Sequence, residues 1–169
     1  MGTPAETRWL SSEEMGSWLA LNAVMIKLPF ALDAQLQRDA GLSHFEYQVL
    51  AGLSQSPGRS MRMSDLAVLA NGSLSRLSHV VGRLEKRGWA KREPDPEDGR
   101  FTLALLTDKG WDKVVATAPG HVAAVRKYVF DALTPEQARQ LAEIGARVIQ
   151  AIDPGDHCLD FQRGPATDG

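Results

Sequence analysis

Between Ser73 and Arg87, five hydrogen-bond donors fall on one side of a single helical projection. At roughly 100° per residue, Ser75, Arg76, His79, Arg83 and Lys86 share that side, while Leu74, Leu77, Val81 and Leu84 form an apolar stripe opposite. Hydroxyl, imidazole, guanidinium and ammonium groups bond phosphate oxygens and the edges of bases. The alternative is an ordinary amphipathic surface helix, whose solvated face usually mixes signs. Glu85 is the only acid in this stretch. The pattern reads as a helix that packs by one face and offers the other to a duplex.

The neighbouring segments must position that face. Upstream, Arg62–Ala70 reads as a short helix with Ser64 as its cap and Leu66, Leu69 and Ala70 turned inward. Asn71-Gly72 breaks it, both residues tolerating the left-handed conformation, and Ser73 caps the next helix. Helix, glycine-containing turn and helix make a helix-turn-helix. Downstream, Gly88 ends the second helix, and Trp89–Glu93 and Phe101–Leu106 read as strands. Pro94–Arg100 lies between them and continues neither, because of its prolines and glycine. The expected hairpin carries Arg100 near its tip, where an arginine suits a narrow minor groove. Asp98 either holds that arginine or bonds the backbone of its own turn.

The run Ser73–Trp89, followed by Asp98-Gly99-Arg100 and then Leu106–Gly110, resembles the MarR family, dimeric winged-helix transcription regulators of bacteria and archaea. The likeness extends in order over residues 10–152. It implies a mainly α fold with a small β-hairpin wing. A winged helix-turn-helix DNA-binding region (43–106) would be flanked by a dimerisation helix (11–42) and further dimerisation helices (107–152), with an N-terminal arm (1–10) and a flexible tail (153–169).

Composition is compatible with this. The 169 residues, 43% of them apolar, suffice for one globular domain with a modest core. The net charge of −2 is unevenly spread. Residues 59–100 hold nine Lys/Arg against six Asp/Glu (+3), 1–58 three against six (−3), and 101–169 seven against nine (−2). Positive charge is therefore confined to the proposed reading head, and a dimer presents it twice. No uninterrupted 18-residue apolar run occurs and no basic stretch precedes an apolar one near Met1, so neither a membrane span nor a signal peptide is expected and a cytoplasmic location is. A single cysteine excludes an intramolecular disulfide framework.

The outer segments show why a dimer is expected. Ser11–Glu14 is a capping box opening a helix that runs from Met15 to about Ala40 and ends at Gly41, with a kink expected near Met25–Lys27 because of Pro29. Ser43–Glu46 is a second capping box, before Tyr47, Leu50 and Leu53. Thr107 caps a helix that Pro119-Gly120 should interrupt, and Thr134-Pro135-Glu136-Gln137 starts a last helix carrying Leu141, Ile144, Val148 and Ile152. These helices hold more apolar surface than a small winged-helix core covers. The resemblance implies intertwining with a second subunit through Trp18, Leu19, Leu133, Leu141 and Val148, each with an intrachain contact as its alternative role.

Function follows as expectation. A two-fold dimer places two reading helices in successive major grooves about 34 Å apart, so the target should be an inverted repeat in double-stranded DNA. The DNA-contacting set is Ser73, Ser75, Arg76, Ser78, His79, Arg83, Lys91, Arg92, Asp98 and Arg100, with Ser75 and His79 assigned to base edges and Arg76 to base or phosphate. The resemblance also implies repression by masking a promoter, activation being the other mode, and release by a small, often aromatic effector. Trp18, Asn22, Met25, His44 and Trp111 are candidates to line its pocket, with packing and cap solvation as their alternative roles. Cys158, beside His157, reads as a passive tail thiol, with oxidative joining of two subunits through a pair of them as the alternative. His44, His79, His121 and His157 are scattered without a Cys-x-x-Cys, so no metal is expected, and no cofactor. Enzyme motifs are absent: there is no Gly-x-Ser-x-Gly, Walker-type loop or Gly-x-Gly-x-x-Gly. The competing readings are a winged-helix module for protein association and an architectural DNA binder with little sequence preference.

Overall fold

Reciprocal caps set where the long helices begin in the computed structural model, which describes residues 7–154. The Ser11 side chain accepts the Glu14 N–H while Glu14 returns the bond, and helix α1 runs Ser12–Ala40 to a left-handed Gly41 (φ 63°). A second capping box, Ser43 with Glu46, opens α2 (His44–Gln55), whose Phe45, Tyr47, Val49, Leu50 and Leu53 are buried. A 3-10 turn (Pro57–Arg59) then leads into strand β1 (Ser60–Arg62). Helix α3 spans Met63–Leu69 and α4 spans Leu74–Lys86. Strands β2 (Ala90–Pro94) and β3 (Thr102–Leu106) follow, then α5 (Asp108–Tyr128), a 3-10 turn (Phe130–Ala132) and α6 (Pro135–Ile152). Thr107 caps α5, and the Thr134–Gln137 box with Pro135 opens α6.

The core lies under the helix-turn-helix. Leu36 and Leu42, Leu50 and Leu53, Leu66, Leu77 and Leu84 are fully buried there. The sheet is antiparallel in the order β1-β3-β2, with Met61 opposite Ala104 and Arg92 opposite the same residue from the other side. Ala104 is fully buried, so β3 is the central strand on which both edges hang.

Several sequence expectations need correction. Ser64 does not cap α3: Arg62 holds the cap position without a side-chain bond, and the Ser64 hydroxyl donates to Asp65 instead. The reason is β1, a strand too short to show periodicity, which extends the backbone up to Arg62. Leu74 is 55% exposed, and Val80 takes its place among the buried residues of α4. Of the Asn71-Gly72 pair only Asn71 is left-handed (φ 49°). Gly72 is needed for clearance, since a Cβ there would stand 2.8 Å from Cζ of Phe45. Pro94 closes β2, paired with Thr102, and Trp89 and Phe101 lie just outside their strands.

Pro119-Gly120 does not interrupt α5, which continues to Tyr128. A proline inside a helix costs on the order of 3 kcal/mol, and here tertiary contact outweighs it. Thr117 and Ala124 are buried, and Gly120 faces the Gln35 side chain on α1, where a Cβ would stand 3.5 Å from Gln35 Nε2. Helix α1 likewise continues through Pro29. It is also long and apolar enough to cross a membrane by length and composition, with a mean hydropathy of 1.4 over 18 residues. A count of uninterrupted apolar residues overlooks this because scattered polar residues break the run. His157 and Cys158 lie outside the described residues.

Candidate nucleic-acid interface

Helix α4 is seated by its apolar face and gripped along both flanks. Leu77, Val80, Val81 and Leu84 are buried, and the Ser73 hydroxyl accepts the Arg76 N–H at 3.2 Å to close the first turn. On one flank, the Arg76 guanidinium lies 4.1 Å over the Phe45 ring, Arg83 Nε donates to Glu46 Oε1 at 3.0 Å, and Arg87 Nη1 donates to the Gly41 carbonyl at 2.9 Å. On the other flank, Arg92 of β2 donates to Glu85 Oε2 at 2.6 Å and to the Ser78 hydroxyl at 3.3 Å. Ser75 and His79 are exposed between the flanks, with no side-chain hydrogen bond among the described residues. The helix therefore presents unpaired donors along its outer ridge and paired ones at its sides.

The wing is built on a contact that sequence reading missed. Arg62 Nε on β1 donates to Asp95 Oδ2 at 2.7 Å, and its guanidinium lies 4.3 Å over Phe101. Asp95 Oδ1 also accepts the Glu97 N–H at 2.9 Å. The Glu97 N–H and the Arg62 guanidinium hold the Asp95 carboxyl below its ordinary value. Arg62 and Asp95 stand 33 residues apart, so no local pattern links them. At the tip, Asp98 does both things considered for it: it accepts Arg100 Nη2 at 2.6 Å and the Arg100 backbone N–H at 3.1 Å. The Arg100 side chain remains 84% exposed, aimed but uncovered. Lys91 on β2 pairs with Glu93 at 2.5 Å.

Glu46 is the other residue the sequence hid. Its capping-box role is legible, but its second oxygen takes Arg83 from 37 residues away. Burial pushes its carboxyl up, yet the Ser43 N–H and the Arg83 guanidinium together hold it below the ordinary value.

The five candidate effector residues do not gather within one protomer. Trp18 and Met25 are about half exposed on α1. His44 lies at the far end of that helix, its N–H donating to Asp33 Oδ1 at 2.7 Å. The 15 residues from Trp18 to Asp33 span about 22 Å of helix. Trp111 packs against the core under the Arg59 guanidinium, 4.2 Å from its ring, and Arg59 also pairs with Asp108. His44 instead meets His121 of α5, ring centroids 6.0 Å apart, and His121 lies 4.6 Å from Tyr47. Asn22 is half-buried on the same face of α1 as Trp18. Among the described residues no group of three or more His, Cys, Asp or Glu side chains is arranged to hold a metal.

A family model described as the MarR family matches residues 40–100, from the end of α1 through the wing tip. The crystal structure of Sco3205, a MarR family transcriptional regulator from Streptomyces coelicolor in complex with DNA, superposes with a TM-score of 0.84. The two chains are 48% identical, over 90% of this chain and 95% of Sco3205. This chain belongs to the MarR family. The mostly helical architecture with its small antiparallel sheet is the winged-helix fold of that family. Among curated relatives, the uncharacterized HTH-type transcriptional regulator YkoM of Bacillus subtilis (strain 168) is 30% identical over 62% of this chain and 66% of its own length. The transcriptional repressor MprA of Escherichia coli (strain K12) is 24% identical over 67% of this chain and 64% of its own length. The chain thus spans just under two thirds of the length of these two relatives. The family and these relatives are transcriptional regulators, not enzymes.

Proposed function

We propose that this MarR-family chain regulates transcription by binding an inverted-repeat operator as a homodimer, as a repressor that a small effector releases. The observation that carries the DNA reading is the outward ridge of α4, with Ser75 and His79 exposed and unpaired, on a fold 48% identical to a regulator crystallised with DNA. Ser75 and His79 meet base edges, Arg76 sits at the helix start within reach of a base or phosphate, and Ser73 and Ser78 border the backbone. Lys91, Arg92 and the Asp98-oriented Arg100 supply the wing's charge, Arg100 entering the minor groove.

A homodimer is supported by what α6 lacks. None of its 18 residues is buried, although Leu141, Ile144, Val148 and Ile152 line one side of it. Most of a helix's stability in a protein comes from packing its amphipathic face, so this apolar stripe needs a partner. Helix α1 exposes Leu19, Val24, Ile26 and Phe30 in the same way. A groove of about 820 Å³ between the two, lined by Val24, Leu28, Tyr128, Leu141 and Ile144, is sized for another subunit's side chains. The apolarity of α1 is read as this interface rather than as a membrane span.

Repression is favoured because MprA carries that name. The effector is assigned to the junction of α1, α2 and α5 near His44, with Trp18, Asn22 and Met25 contributing from the dimer face. The test is fluorescence anisotropy on the intergenic DNA beside the gene, against a scrambled duplex at two salt concentrations. Saturable binding about 10³-fold tighter than the control and steeply weakened by salt is expected. Equal, weak binding to both duplexes would leave an architectural role, and no binding even at low salt would leave an association module.

A further inference from the structure

We infer that Glu46 is a positioning residue for the reading helix, and that Arg83 braces that helix from the side instead of contacting phosphate. This rests on the DNA-binding reading above. On a projection of α4 at roughly 100° per residue, Ser75, His79 and Lys86 fall within about 40° of one another, opposite the buried Leu77 and Leu84. Arg76, Arg83 and Arg87 lie some 80–120° round from Ser75, on the flank toward α2. All three find partners in one short segment: Phe45, Glu46 and the carbonyl of Gly41.

Glu46 is the fixed point of this flank. Its side chain is only 6% exposed, and its Oε2 is already committed to the Ser43 N–H at 2.9 Å. That bond is part of the cap of α2, so the carboxylate cannot follow Arg83 outward without opening the first turn. If Arg83 swung to a phosphate it would leave a nearly buried carboxylate without its countercharge, which is the costly way to break such a pair. Arg92 grips the opposite flank through Glu85 and Ser78. The helix is thus held in rotation about its own axis, and the ridge between the two grips is what faces the groove.

The experiment uses duplexes that the wild-type protein recovers from a random pool, titrated by anisotropy across a potassium chloride series. Glu46→Gln keeps the cap, because glutamine serves at that position too, but removes the charge facing Arg83. Arg83→Met alters a side chain that is 55% exposed but leaves Glu46 without its countercharge, so the double variant Glu46→Gln/Arg83→Met, which removes both charges, decides if either single variant does not fold. Each variant is expected to weaken binding to the recovered duplex about tenfold, with the double variant no weaker than the worse single one. The slope of log K against log salt is expected to stay at the wild-type value. A slope shallower by about two phosphates per dimer for Arg83→Met, or Glu46→Gln binding as tightly as wild type, would overturn the inference. Recovery of no preferred duplex by the wild-type protein overturns the DNA reading itself, and this inference with it.

Discussion

The His121 ring lies 4.6 Å from the ring of Tyr47, and its Nδ1 is buried with no hydrogen-bond partner among the described residues. Burial lowers the His121 value below that of an ordinary imidazole, and neighbouring His44 lowers it further. Burial also lowers His44, with the Asp33 carboxylate opposing part of the effect. The folded state therefore favours both neutral rings more than the unfolded chain does. Their contribution to stability is complete above the unfolded value of about 6.5 and is lost as the pH falls from there through the lowered folded values. The melting temperature is expected to drop between pH 7.5 and 5.5, and His121→Gln to flatten that drop. A wild-type melting temperature that stays level over the interval would remove the imidazole argument. Glu46 and Asp95, whose carboxyls are also depressed, lose their contributions only at lower pH, so the two windows separate.

Gly72→Ala should be disproportionately harmful for a one-carbon change. The added Cβ meets the Phe45 ring at 2.8 Å, and that ring also lies under Arg76. Overpacking of this kind costs roughly 1–3 kcal/mol. Chemical denaturation should show a loss in that range. A midpoint within error of wild type would mean the turn and ring separate freely.

At the wing tip, charge and aim can be tested apart. Arg100→Ala should weaken DNA binding about tenfold at moderate salt and make the salt dependence shallower by about two ions per dimer, without changing thermal stability. Asp98→Asn keeps the cation but loosens the paired geometry, so affinity should fall while the salt dependence holds. Identical salt slopes for wild type and Arg100→Ala would mean that the arginine does not enter the duplex's ion atmosphere.

Ile144 is 59% exposed within one chain and lines the groove between α1 and α6. Ile144→Asp puts a charge where a partner subunit is proposed to pack. Sedimentation should then report the monomer mass, and DNA affinity should fall about a hundredfold because two half-sites are no longer engaged together. An Ile144→Asp protein that still sediments as a dimer would place the interface elsewhere.

What the sequence made legible was local chemistry. Ser11, Ser43, Thr107 and Thr134 each cap the helix they announce, because capping couples residues only three positions apart. The opposed faces of α4 were visible for the same reason. What stayed hidden depended on distance along the chain. The Arg62–Asp95 and Arg83–Glu46 pairs join residues 33 and 37 apart, and β1 is a strand only because β3 arrives beside it. Leu74 shows the limit of a projection: it falls on the apolar stripe, but at the first turn the core does not reach it. The effector candidates do not meet within the single chain for a related reason: Trp18 lies far along α1 from the Asp33 that holds His44, and Trp111 sits under Arg59.

The bareness of α6 has a consequence for the cell as well as for the fold. If its apolar stripe is covered only by another copy, the chain's stability and its abundance become one variable. Dilution would then thin out the bound regulator and also leave the last helix open to proteolysis, so scarcity would reinforce itself. A gene controlled in this way would respond to regulator dose as a threshold.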